Sequence, residues 1–183
     1  MIYQNTQMEE QAVLQTAARM CAAARTAPKA HGKDTIHTLV LTGEDKDQLA
    51  KEMESLGYEL MGDNMRSWYG RDANNVRMAN ALVLIGAGKK YRGVPNCGYC
   101  GFEHCVSCKE SGGNCAFAYV DLGIAVSSAV TIAAAQQVDC RVMFSVGKTV
   151  MLLPFSEEPV LWLGIPLSVS GKNIFFDRNI FHD

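Results

Sequence analysis

Apolar residues near the start of the chain return at helical spacing: Val13, Ala17, Met20 and Ala24 fall on one stripe, with Leu14 and Cys21 beside it. Thr6 followed by Glu9 has the form of a capping box, which predicts a helix from Gln7 to Arg25, ended by Pro28. Cys21 on that stripe reads as a small core residue. The period then changes. Thr35 to Thr42 is mostly aliphatic or β-branched and predicts a strand. Leu49, Met53 and Leu56 mark one face of a second helix from Glu44 to Leu56, with Gly57 as its stop. The pattern is faint from Tyr58 to Asn80, where a short helix over Asp72 to Ala79 leads into a strand at Ala81 to Ile85.

The most apolar stretch, Ala116 to Val138, is alanine-rich and apolar almost all round, which predicts a central helix packed on more than one side. Its first twenty positions approach the length of a membrane span, but Asp121, Ser127, Ser128 and Thr131 lie within them. A core or dimer-interface helix is the better account, and Asp121 reads as a buried carboxylate capping neighbouring groups. A strand over Arg141 to Val146, a helical piece at Lys148 to Leu153, a strand at Val160 to Ile165 and a tail over Ser170 to Arg178 complete the expected order. Helices around a modest sheet make an α+β domain spanning 1–183, with an inserted cysteine-rich loop at 96–115.

Composition narrows the functions. The 183 residues, 48% hydrophobic and 20% charged, fit one globular domain. A formal net charge of -2 and the absence of a Lys/Arg block give no track for nucleic acid. Glu9 and Glu10 stand where a secretion signal needs a basic flank and an apolar run, so a cytoplasmic location is expected. Gly86-Ala87-Gly88-Lys89 and Gly147-Lys148-Thr149 each resemble part of a phosphate loop; Val142 stands where a Walker loop needs glycine.

The chemistry is concentrated in one stretch. Five of the seven cysteines, Cys97, Cys100, Cys105, Cys108 and Cys115, fall in nineteen positions among glycines. A CxxC step and a four-residue loop wrap Cys97, Cys100 and Cys105 around one centre, which suits an iron-sulfur cluster. Cys115 is favoured as the fourth ligand, because a helix beginning after it would direct N–H groups and a positive dipole end at the thiolates. Cys108 remains the alternate. Zinc on Cys97, Cys100, His104 and Cys108 is the main rival, but both later gaps are one residue short of a zinc knuckle. Disulfides fit poorly with an odd count. Lys89, Lys90 and Arg92 place positive charge just ahead of the loop, where it would favour a reduced cluster or an acidic partner.

The pattern NCGxCGxxxC over Asn96 to Cys105 resembles the four-iron cluster loop of electron-transfer subunits in anaerobic respiratory and carbon monoxide dehydrogenase complexes. With Gly112-Gly113-Asn114-Cys115, the run from Asp121 to Val130 and the ending from Gly164 to Arg178, nearly the whole chain looks like an uncharacterised family described as ferredoxin domain-containing proteins. That resemblance implies a [4Fe-4S] cluster on Cys97, Cys100, Cys105 and Cys115.

A second resemblance concerns the fold. Ala27-Pro28-Lys29-Ala30-His31, the long helix near Asp121 and Leu163-Gly164-Ile165-Pro166 are similar to the nitroreductases, flavin-binding α+β proteins that form homodimers. It implies a homodimer and a site for FMN. The arginine-rich segment that usually grips the FMN phosphate in that family is missing between Met1 and Gln11. Arg25, Lys29, His31, Lys33 and Arg178 are then the candidates for that grip.

The expectation is a cytoplasmic iron-sulfur redox protein that passes single electrons to a flavin, a small-molecule acceptor or a partner protein. A zinc-stapled interaction domain and an oxygen or iron sensor are the alternatives. Tyr69, His37 and His104 are proton donors by type only, and no acid, base or nucleophile set stands out.

Overall fold

The computed structural model describes residues 1–66, 68–155 and 160–176. Helix α1 (Asn5–Thr26) buries the predicted stripe of Val13, Ala17, Met20 and Ala24. Its first turn is fastened two residues earlier than expected, where the Gln4 N–H donates to Gln7 Oε1 at 3.2 Å. Strand β1 (Ile36–Leu41) follows. Helix α2 (Gly43–Met61) runs past the expected stop at Gly57 and ends at Gly62, which has φ of 55°. Gly57 serves packing instead, since a Cβ there would lie 3.0 Å from the ring of Tyr69.

Tyr69 opens α3 (Tyr69–Met78), and Lys46 of α2 caps the far end of that helix. The Lys46 ammonium donates to the carbonyls of Val76 at 3.0 Å and Arg77 at 2.7 Å. A cation at a helix C-terminus satisfies carbonyls that have no partner within the helix.

Strand β2 (Ala81–Gly88) is buried along its whole length. It pairs antiparallel with β1 on one side and with β4 (Val160–Ser168) on the other, and a two-residue β3 (Asp139–Cys140) closes the order β1-β2-β4-β3. Alternation along β2 divides the core. Val83, Ile85 and Ala87 join Ile165 and Leu167 beneath α1 and α5 (Ala116–Ala135), whereas Leu82 and Leu84 join Trp162, Met53, Tyr69 and Phe175 beneath α2 and α3. A sheet covered on both faces needs such a continuous apolar central strand.

The expected strand at Arg141 to Val146 is not formed. Met143 makes one bridge to Gly164, and the chain then turns into helix α6 (Phe144–Val150). Glycines explain the difference: a Cβ on Gly147 would come within 1.8 Å of the Trp162 carbonyl oxygen, and one on Gly164 within 2.2 Å of Val146. The segment that looks like the end of a phosphate loop is where α6 presses onto β4. Gly86 likewise lies inside β2, facing Trp162.

Helix α5 packs along α1 and the sheet on one face only, leaving Tyr119, Val120 and Ile124 exposed among the described residues. By length and hydropathy alone it would cross a membrane; here seven of its residues are buried in the fold.

Candidate metal centre

The thiols sit between β2 and α5. After Gly88 the chain runs through Tyr91 and Arg92 into a loop that bends at Gly98 and Gly101, with φ of 63° and 82°. The Gly101 N–H donates to the Gly98 carbonyl at 2.9 Å. Both bends use backbone conformations that favour glycine, and they turn Cys97 and Cys100 toward one side. A short helix α4 (Cys105–Glu110) begins with Cys105, and Cys115 occupies the N-cap of α5, as the spacing predicts.

Cys97, Cys100, Cys105 and Cys115 line one cavity, together with Tyr91, Arg92, Phe102, His104 and Phe117. Cys108 is not in that lining. It is fully buried behind the loop, and a Cβ on Gly113 would lie 2.9 Å from its sulfur. Burial, then its hydrogen bond with Cys100 and the charge of Cys100, Cys115 and Cys105, pushes the Cys108 thiol up from its ordinary value. All seven cysteines are free.

His104 lines the cavity as a cap rather than a converging ligand: its Nδ1 accepts the Ser107 N–H at 3.1 Å at the start of α4. Among the described residues no three Cys, His, Asp or Glu side chains converge on a single-ion site. Tyr99 stacks on Phe117 at the rim, with ring centroids 5.6 Å apart.

Residues outside the cysteine pattern hold the site in place, and the sequence pattern did not single out their contacts. The Tyr91 hydroxyl donates to the Gly113 carbonyl at 2.6 Å. Burial first, and then the charge of Cys108, Cys115, Cys100 and Cys105, raises the Tyr91 hydroxyl above its ordinary value. Arg92 and Asp121 form a buried pair, each 1% exposed, with Nη2 to Oδ2 at 2.5 Å. Arg92 Nη2 also reaches Thr35 Oγ1 at 3.1 Å, and Nη1 donates to the Lys90 carbonyl at 2.9 Å. Asp121 Oδ1 accepts the Ala30 N–H at 2.9 Å. Asp121 thus caps neighbouring groups, as its place in an apolar helix implies.

The cations of the 25–33 loop are engaged in two sets, Arg25 and Lys29 near Asp34 and His31 with Lys33 on the Arg92 carbonyl. Arg25 bonds Asp34 at 2.9 Å and the Ile36 carbonyl at 2.8 Å. Lys29 donates to the carbonyls of Arg25 and Ala27. Lys33 donates to the Arg92 carbonyl at 2.9 Å, and His31 Nδ1 lies 3.2 Å from the same oxygen. Arg178, the fifth residue expected to grip an FMN phosphate, lies outside the described residues. Tyr69 is buried in the core, bonding the Ser145 carbonyl and Thr149 Oγ1 at 3.1 Å each. His37 lies beside Trp162, 6.3 Å between ring centroids.

Known proteins resemble the chain in fold and in sequence. A BluB-like flavoprotein from Clostridium difficile 630 superposes with a TM-score of 0.57 at 14% identity, over 87% of this chain and 81% of that one. A nitroreductase with bound FMN from Desulfitobacterium hafniense DCB-2 gives the same TM-score and identity over 94% and 81%. At that identity the likeness shows the fold, which is nitroreductase-like. An uncharacterized protein of Archaeoglobus fulgidus is 40% identical over 168 residues, covering 87% of this chain and 88% of that one. The family model described as an uncharacterized protein containing a ferredoxin domain matches residues 111–178, which include Cys115 and α5. The ferredoxin description suggests an iron-sulfur redox function, and the chain belongs to this family of uncharacterized ferredoxin domain-containing proteins.

Proposed function

We propose that the protein holds one [4Fe-4S] cluster on Cys97, Cys100, Cys105 and Cys115 and transfers single electrons. One observation carries the reading: those four thiols, and not Cys108, line a common cavity. A single tetrahedral zinc with Zn–S near 2.3 Å would draw its sulfurs to roughly 3.8 Å of one another. A four-iron cluster holds its four thiolates farther apart than one zinc does, so metal and sulfide content distinguish the two. When bound, a four-iron cluster supplies a one-electron couple whose potential depends on its charge, on hydrogen bonds to sulfur and on solvent exposure.

The chain's own residues supply the rest. Gly98 and Gly101 bend the loop, Tyr91 fastens its far end, and Tyr99 with Phe117 covers part of the rim. The electron acceptor is a partner protein, a small molecule, or a flavin in the same assembly; the flavin option draws on the FMN in the nitroreductase neighbour. The uncovered stripe of Tyr119, Val120 and Ile124 on α5 supports a homodimer. Free cysteines fit a reducing cytoplasm.

The test is anaerobic reconstitution of the full chain with iron and sulfide, followed by metal analysis. About four irons per chain with a broad visible absorbance bleached by dithionite supports the reading. About one zinc per chain and no colour would assign the site to a structural ion.

A further inference from the structure

Arg92 is a buried cation lining the thiol cavity; its partner Asp121 is equally buried but does not line it. The pair is therefore an oriented dipole. Its positive member is the one at the cavity wall, and its negative member, set back from that wall, accepts the Ala30 N–H with Oδ1. Lys90 is exposed and Lys89 half-buried, so solvent and salt screen them far more than the enclosed guanidinium.

Resting on the cluster reading above, we infer that the Arg92–Asp121 pair sets the reduction potential of the centre, with Asp121 attenuating the pull of Arg92. Reduction of [4Fe-4S]2+ by one electron from dithionite gives [4Fe-4S]+ and adds one negative charge to the site. Arg92 stabilises that charge through its position at the wall, and Asp121 holds the stabilisation below what a lone guanidinium would give. Neither residue touches iron. Both act through the field at the thiolates, which makes them tuning rather than catalytic residues.

The experiment is a redox titration of the reconstituted full chain, followed by absorbance and electron paramagnetic resonance. Wild type is compared with Asp121→Asn, Arg92→Met and the double variant. Asp121→Asn leaves Arg92 uncompensated and raises the potential. Arg92→Met removes the positive end and lowers it, and the double variant, with no dipole, also lies below wild type. Each shift amounts to about a tenfold change in the reduced-to-oxidised ratio at fixed solution potential, about 59 mV for one electron.

A cavity merely loosened by substitution would move both single variants in the same direction, so shifts of equal sign overturn the inference. If Asp121→Asn fails to keep its cluster, the double variant decides, because it buries no uncompensated charge; a potential equal to that of wild type overturns the inference. Failure of the wild-type chain to take up any cluster overturns the underlying reading itself, and the tuning role with it.

Discussion

The hydroxyl of Tyr91 donates a 2.6 Å hydrogen bond to the carbonyl of Gly113. One residue stands just before the cysteine loop and the other two positions before Cys115, so a single bond fastens the entry of the loop to its exit. Replacing Tyr91 by Phe keeps the ring and removes the bond. The expected result is a cluster that assembles but is lost to a chelator about two- to tenfold faster, the range of one ordinary hydrogen bond. Decay of the visible absorbance under chelator measures it; an unchanged rate would mean that the loop is held elsewhere.

The cavity also separates ligands from neighbours. Serine at Cys97, Cys100, Cys105 or Cys115 is expected to bring iron close to zero after reconstitution, whereas Cys108→Ser keeps it. Iron and sulfide analysis of the five variants checks this, and loss of iron in Cys108→Ser with retention in Cys115→Ser would exchange the roles of those two residues.

Glycines placed for packing give a graded pair of stability predictions. Gly147→Ala drives a Cβ to 1.8 Å from a backbone oxygen, which cannot give way as a side chain can, so a loss of about 3 kcal/mol or more is expected. Gly57→Ala meets only the Tyr69 ring at 3.0 Å. Overpacking of about 1–3 kcal/mol is partly offset by about 1 kcal/mol of helix propensity, leaving a net loss of about 1 kcal/mol. Urea midpoints of the two variants measure the difference.

Much of the scaffold was legible in the pattern of apolar residues. The stripes of α1 and α2 and strands β1, β2 and β4 follow from spacing, whereas Cys115 is favoured over Cys108 because a helix is expected after it, the N-cap position it occupies. What escaped was glycine used for contact rather than conformation. Gly57 read as a helix stop because its partner Tyr69 is twelve positions away, and Gly147 read as a phosphate loop because β4 comes later in the chain. The partnership of Arg92 with Asp121 was hidden for the same reason: each residue has a local reading, and only the fold brings them within 2.5 Å.

Alkaline pH tests one buried group. Burial first, with the Asp72 charge adding and the Thr149 hydrogen bond opposing, raises the Tyr69 hydroxyl above its ordinary value of 10.0. Above about pH 10 the folded chain therefore holds a proton that the unfolded chain has lost. This contribution is complete below pH 10 and is lost as pH rises through the folded value. Tyr69→Phe is expected to cost about 1 kcal/mol at neutral pH and to remove this part of the alkaline slope; equal slopes in the two proteins would show that Tyr69 does not titrate with unfolding.

The most direct measurement is the visible spectrum of protein purified and kept without oxygen, before and after dithionite, with iron and sulfide counted on the same sample. A broad brown absorbance that bleaches on reduction, with about four irons and four sulfides per chain, is the predicted result. Resolved flavin bands on top of it would add FMN to the same centre. A colourless protein carrying about one zinc per chain would contradict the account, because the four thiols around the cavity would then be holding a structural ion.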